Sequence, residues 1–465
     1  MYSGKYAFKI SKEYWNSAEG RKLLEQYRVD VAELPWQLTP IPIKPAEFIP
    51  PEITRFVIAV NRRYRENISR VLEDLRPHLF LFLEYINKVV VIDNIKGKHR
   101  VIEWFIGEQV DLEDIKVQKV NVTVIENGSP QVRKFLVFKK VVQVPDDVKK
   151  DPTTIDAERG DVNVREVSLA FELDPQSEEI KPFTESMFWG VYSFLPLQEA
   201  KSGLRFLLQA DFIVQIGRRQ INYEAKWNYW LMESIAEVLR KIIPYLVKRY
   251  PKSYLAALDY EYVCDPFYEG MIRPTVIAVI DEMLKEPPVR CIKGHIVKLS
   301  STLKYADENV KNVAEELIKH ELFDETDLEV VFKTKLHILD LEVKLRPRDE
   351  VAVKFLGITD LLNEDLLRSK LSISKDTLIK YLVKLYKVLG SETLRVVPED
   401  RRFLVTEAGV LRLAREMYLK VIPKGIEELS SRFPEIRSFI EKLDYISDVF
   451  VQELGEEFLR QLGVK

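Results

Sequence analysis

The chain has 465 residues, 46% of them hydrophobic and 31% charged, with a formal net charge of −3. That length can bury several cores, so about two to four domains are expected, and the near-neutral balance gives no global field to steer nucleic acid or an acidic substrate. Cys264 and Cys291 stand alone without C-x-x-C spacing, which excludes a disulfide framework and a sequence-local zinc motif and fits buried cysteines in a reducing cytoplasm. No run approaches about eighteen apolar residues and no signal peptide opens the chain, so a cytoplasmic protein with no membrane partner is expected. Abundant Lys and Glu with few Cys and His would suit a thermophile.

In chain order, Tyr6, Phe8 and Ile10 share one face of a first strand. A short helix is expected over 17–27, and the Pro-punctuated stretch 34–43 reads as an edge-type strand. After Pro50-Pro51, the residues Phe56, Val60, Tyr64, Ile68, Val71, Leu72 and Leu75 give a helical stripe, and the apolar run 79–93 ends in a strand. Residues 100–185 read as mainly antiparallel β, with strands over 101–106, 116–125, 132–144 and 165–173. Asn127-Gly128 is a two-residue hairpin signal between the second and third. The charged stretch 146–161 reads as an exposed loop.

The chain is organised around 194–250. Leu204, Phe206, Leu208 and then Phe212, Val214, Ile216 alternate as half-buried strands do, with Lys201-Ser202-Gly203 as the turn before the first. After a Gly217-Arg218-Arg219 corner, Trp227, Trp230, Leu231, Ile235, Val238, Leu239, Ile242 and Leu246 recur at helical steps, so one face of a long helix is buried. Pro244 is expected to kink or end it, and Glu237 and Lys241 stand in i,i+4 register. Trp227 and Trp230 read as core anchors rather than ligand platforms.

Farther on, Pro287-Pro288 marks a boundary, 310–320 reads as a helix, and 329–345 alternates like a strand until Arg346-Pro347-Arg348 ends it. A short helix capped by Asn363, a turn, and an amphipathic helix over 375–389 capped by Ser374 follow. A hairpin is expected from 394–397 and 402–406, with Ala408 opening another helix, which is the element order of a winged helix-turn-helix. Lys380, Lys384 and Lys387 share one side of the 375–389 helix and, with Lys375, form a candidate nucleic-acid face. Residues 361–420 carry twelve Lys and Arg against eight Asp and Glu. No Arg, Asn or Gln base-reading set lies on that helix, so weak duplex binding competes with a solvated basic face. The tail 422–465 reads as helical with one polar face, suited to packing or self-association into a homo-oligomer.

Little else suggests chemistry. His78, His99, His295, His320 and His337 are scattered with no i,i+4 pair, so no metal site is expected. Lys201 and Gly203 lack phosphate-loop spacing, and no Ser or Asp has a nucleophile-elbow or triad context.

A resemblance enters at Phe194-Leu195-Pro196, Gly203, Phe206, Gln209, Asp211, Phe212, Arg218, Ile221, Asn222, Trp227, Asn228, Trp230 and Leu231. This block resembles the region behind the ATPase module in the sacsin-like and plant vein-patterning-type family of histidine-kinase-type, heat-shock-chaperone-like ATPases. By the same resemblance, residues 1–95 look like the tail of the ATP-binding fold after its lid. The upstream helix with its catalytic Glu and magnesium-binding Asn, the Asp-x-Gly-x-Gly turn and the glycine-rich lid do not occur in these 465 residues. The chain therefore reads as a fragment, the product of a split gene, or a partner subunit, with no cofactor of its own and ATP with Mg only where a nucleotide-binding module is supplied. Arg218 matches the family arginine that reaches back to the terminal phosphate, where a fixed guanidinium neutralises developing charge. It is the candidate phosphate sensor in trans, against a solvated basic turn as the competing reading; Arg219 stands where relatives often carry an acid.

The expected fold class is α+β and multidomain, with mixed and antiparallel sheets packed with helices and a mostly helical C-terminal region with a winged-helix-like unit. The expected division is 1–145, the end of the ATPase fold plus a β segment; 146–260, a middle α+β domain; 261–350, an α/β linker domain; and 351–465, the helical region. The expected function is that of a chaperone-like or assembly module, not an enzyme on its own. Its expected partners are a nucleotide-binding domain or subunit and a protein client. A DNA-associated factor and a subunit completing an ATP site on another chain are the alternatives.

Overall fold

The computed structural model describes residues 2–465 except 4–5, 31, 33, 36–38, 45–53, 59, 74, 84, 185–189, 216–219, 351–352 and 421–423. The chain falls into two compact units, Met1–Arg76 and Pro77–Lys465.

In the first unit, short strands Tyr2–Ser3, Tyr6–Lys9, Ile41–Pro42 and Thr54–Arg55 form an antiparallel sheet. Helices Lys12–Asn16 and Ala18–Tyr27 begin at Ser11 and Ser17, whose hydroxyls accept from the backbone N–H of Tyr14 and Gly20; each cap satisfies a donor that the first turn leaves without a partner. Trp15, Leu24 and Ile41 make a small core. The helical stripe expected from Phe56 onward is an α-helix only over Arg65–Glu73. Its apolar residues are largely uncovered, with Phe56, Ile58, Tyr64, Ile68 and Val71 all exposed.

The second unit is built on a mixed nine-stranded sheet. Its strands include β1 (Lys88–Asp93), β2 (Lys98–Leu112), β3 (Ile115–Glu126), β4 (Ser129–Gln143), β5 (Val164–Leu173), β6 (Val191–Ser193), β7 (Leu195–Pro196) and β8 (Leu207–Ala210). The order is β7-β6-β8-β5-β4-β3-β2-β1, with Ile180–Lys181 beside β5. All four strands expected between 100 and 185 form, and Asn127 and Gly128 turn β3 into β4 with positive φ of 49° and 89°, as a tight hairpin requires. Helix α1 (Lys226–Arg249) lies on one face of the sheet, where Leu136, Phe138 and Phe171 join Leu231, Ile235 and Leu239 in one core. Alternation along β4 sends Phe135 and Val137 to the opposite face. The 77–82 segment lies over the sheet there, with the Phe82 ring 5.0 Å from that of Tyr192 and His78 5.2 Å from Phe183. This double coverage leaves the centres of β4 and β5 fully buried.

Several local expectations change in this context. The stretch 146–161 holds two short helices, Asp146–Lys149 and Pro152–Asp156, that bury Val148 and Thr154 beside α1. Leu204, Phe206 and Leu208 are fully buried rather than half-buried, and the segment after Phe212 is an irregular pair closed by a Val214–Ile221 bridge; Ile216 lies outside the described residues. Helix α1 continues through Pro244, which sits on its exposed side, where water can satisfy the carbonyl that loses its donor. Cys264 is exposed and only Cys291 is buried.

The C-terminal half adds a hairpin of β9 (Pro288–Arg290) and β10 (Ile296–Lys298). Next comes β11 (Thr302–Tyr305), then α2 (Glu308–Lys319), α3 (Glu325–Phe332), β12 (His337–Ile338) and β13 (Lys354–Leu356). β11 runs parallel to both β12 and β13. Of the expected 329–345 strand, His337–Ile338 and a bridge at Leu339 are β structure, while its start belongs to α3: Asp324 and Asp327 form a reciprocal capping box that opens that helix, and there this local signal overrides the alternation. Helices α4 (Glu364–Ile373) and α5 (Lys375–Leu389) follow, capped by Asn363 and Ser374 as expected. The hairpin after them is displaced, joining β14 (Phe403–Val405) to β15 (Leu411–Leu413), so Ala408 lies in its turn and opens no helix. Helix α6 (Asp448–Leu454) packs on α5. The fold is α+β, and among the described residues no helix is long and apolar enough to cross a membrane.

Candidate functional site

Strands β6 and β8 are parallel neighbours, Val191 opposite Leu208 and Tyr192 opposite Gln209, so Phe194 and Asp211 leave the sheet at the same end. Asp211 is the organising residue there. Its Oδ1 accepts from Arg159 Nη2 at 2.8 Å and its Oδ2 from Arg165 Nε at 2.7 Å. Its backbone carbonyl accepts from Arg159 Nη1 and, at 2.8 Å, from Trp227 Nε1. Both guanidinium groups also lie over the Trp227 ring, 5.2 and 5.7 Å from its centre, a placement that favours a cation on an aromatic face.

A second clamp stands beside it. Asn228, fully buried in the first turn of α1, accepts from Ile213 N and donates from Nδ2 to the carbonyls of Ile213 and Asn222, each at 2.8 Å. Gln215 N donates to Gln220 O at 3.0 Å. The chain on either side of 216–219 is thus tied to itself, to α1 and to the sheet. Arg218, the expected phosphate sensor, and Arg219 fall in 216–219 and lie outside the described residues.

Two backbone positions of the block carry positive φ: Phe194 at this end of the sheet, and Gly203 ahead of the other end of β8. Phe194 adopts φ of 61° and donates its N–H to Gln209 Oε1 at 2.9 Å, while its ring and Leu195 are about half exposed; positive φ is costly for a bulky side chain and persists only where the surroundings fix it. Gly203, also at positive φ, meets the 259–261 segment so closely that a Cβ would stand 2.2 Å from the Glu261 carbonyl oxygen. Close backbone approach accounts for this glycine.

The lysines of α5 lie elsewhere. Lys375 Nζ donates to the Glu407 carbonyl at 2.6 Å, Lys384 pairs with Glu316 of α2 at 2.8 Å, and Lys387 pairs with Glu453 of α6. Lys380 is exposed. Lys380, Lys384 and Lys387 line one side of a cleft of about 430 Å³ floored by Ile379, Val383 and Val449. The carboxyl of Glu316 is held down to about 2, first by its hydrogen bond to Lys384 and then by Lys319.

Sequence reading singled out Asp211 and Trp227 but missed Arg159 and Arg165. Each is about fifty residues upstream of its partner, 52 and 46, one in the loop after the short helix Pro152–Asp156 and the other at a strand start, and no local spacing signals the meeting. No family model matches the chain, and no solved structure matches it. In sequence the chain is similar to Protein NO VEIN of Arabidopsis thaliana, 25% identical over 167 residues, which are 36% of this chain and 5% of the length of that protein.

Proposed function

We propose that the chain is a non-catalytic chaperone-type or assembly-type module, like the region behind the ATPase of sacsin-like proteins, that presents Arg218 to a nucleotide held on another domain or subunit. The observation that carries this reading is the pair of clamps on the described residues that flank 216–219, at Asp211–Gln215 and Gln220–Asn222. An arginine that neutralises developing phosphate charge works only if it is pre-positioned, because reorganisation during the reaction would forfeit the stabilisation. The Asp211–Arg159–Arg165–Trp227 cluster and the Asn228 clamp supply that kind of support. The exposed Phe194 and Leu195 at the same end of the sheet, and the uncovered apolar side chains of the first unit, suit contact with a partner.

Mg-ATP titrated into the chain alone is expected to bind no tighter than about 100 μM. Once a nucleotide-binding partner is added, Arg218→Ala should remove turnover while costing about 0.5 kcal/mol or less in a denaturant melt. Tight binding by the chain alone, or unchanged turnover in the variant, refutes the proposal.

A further inference from the structure

We propose that Cys291, Glu325 and His337 form a binding site for a thiophilic divalent cation, with zinc the best match. The three donors come from separate elements. Cys291 closes the turn of the β9–β10 hairpin, where its N–H donates to His295 O at 2.9 Å and it bridges to Leu339. Glu325 is the first residue of α3, and His337 begins β12. One ligand atom from each lies within 4.8 Å of the other two. Cys291 is fully buried, while the side chains of Glu325 and His337 keep 21% and 14% of their exposure, so the site is closed on the sulfur side and open to solvent on the other.

The chemistry of the set selects the ion. Thiolate, imidazole and carboxylate together suit zinc, whose bonds of about 2.0–2.3 Å place tetrahedral ligand atoms roughly 3.3–3.6 Å apart. Reaching that spacing draws the most distant donor in by up to about an ångström and parts the His337–Glu325 pair by a few tenths of one. His337 Nδ1 already lies 2.9 Å from Glu325 Oε1, and Lys293 Nζ 3.5 Å from Glu325 Oε2. Solvent takes the fourth position.

The surroundings give such an ion a structural task. Among the described residues the buried core here is Val289, Leu299, Leu339, Val343 and Val353, with Val297 and Leu345 packed against it, and a small core gains most from a clip that ties distant segments together. A cation on these ligands would fasten the hairpin, β12 and the start of α3. The donors are far apart in sequence, so no spacing motif marks them.

The test uses the full chain, stripped with a chelator and titrated with Zn²⁺ and with Co²⁺. About one equivalent should bind, the cobalt form should show a thiolate-to-metal charge-transfer band, and zinc should raise the melting temperature. Cys291→Ser should abolish the band and Cys264→Ser, at the exposed cysteine, should leave it intact. His337→Gln and Glu325→Gln should each weaken zinc at least about tenfold, and both act on partly exposed side chains, which keeps the test readable if Cys291→Ser fails to fold. No stoichiometric uptake, a cobalt complex without the thiolate band, or affinity unchanged in both Gln variants overturns the site and leaves a Glu–His pair beside an apolar cysteine.

Discussion

Two clusters of basic residues in this protein carry the same charge and behave differently. Around Asp211, two arginines converge on one carboxylate and one tryptophan face, inside the shell of the largest core. Along α5, lysines reach outward to acids on neighbouring helices, at the rim of a shallow cleft. Arginine suits the first setting because its planar fork satisfies several acceptors at once, and lysine suits the second because its flexible stem lets a compact charge stay hydrated. Burial decides what each charge is worth: removing one partner of a buried set strands the rest, whereas an exposed ion simply returns to water.

The strongest way to break this comparison is at the aromatic platform. Trp227 is fully buried, stacked edge-on with Trp230 at 5.1 Å and bonded to the Asp211 carbonyl, so Trp227→Ala should cost about 3–5 kcal/mol in a denaturant melt. An unaltered melt would mean that the ring is a ligand platform and not core. Asp211→Asn comes next. It leaves two guanidinium groups competing for a neutral amide, and about 3 kcal/mol should be lost. Adding Arg159→Met and Arg165→Met to it should recover part of that loss. If the triple variant is worse than the single, the arginines hold the structure by packing and not by charge.

Lys370 sharpens the comparison from the other side, as a buried lysine on α4, the helix that packs beside α5. Its Nζ lies 2.6 Å from Asp327 Oδ2, with side-chain exposures of 8% and 7%, and burial raises the Asp327 carboxyl above its ordinary 3.8 although Lys370 opposes this. Lys370→Met should cost about 3 kcal/mol at neutral pH. The pH dependence has a definite sign. With the folded value raised, the native state binds the extra proton, so the favourable contribution is present below 3.8 and lost as pH rises through the folded value. Removing Lys370 raises that value further, so the penalty should shrink in acid; a penalty that grows in acid would assign the loss to packing.

What was legible in the sequence follows the range of the forces involved. The four central strands, the Asn127-Gly128 turn, α1 and the caps at Asn363 and Ser374 rest on signals within a few residues, and these elements form. The 329–345 alternation misled because the capping box at Asp324 and Asp327 outweighs it locally. The Asp211 cluster was half legible, since its aspartate and tryptophan sit in the matched block while its arginines arrive across about fifty residues of chain. The gathering of Cys291, Glu325 and His337 left no sequence trace, because only tertiary packing brings the three segments together.

The smallest effect concerns the exposed lysines. Lys387 and Glu453 are each 46% exposed, so Lys387→Ala should cost only about 0.2–1 kcal/mol, less at high salt, and a double-mutant cycle with Glu453→Ala should give a coupling in that range. The neighbouring Glu316–Lys384 pair adds a pH test. A carboxyl lowered to about 2 contributes stability that is complete above its ordinary 4.5 and disappears as pH falls through 2. Glu316→Gln should therefore differ from the parent at pH 5 and converge with it only near pH 2. If instead Lys380, Lys384 and Lys387 are held for a duplex, full-chain binding to DNA must fall with salt at a slope set by the phosphates neutralised, about 0.9 per contact. Their alanine variants would then flatten that slope while barely moving the melt. A slope unchanged by all three substitutions leaves Lys384 and Lys387 as what their glutamate partners make them, surface ties from α5 to α2 and α6.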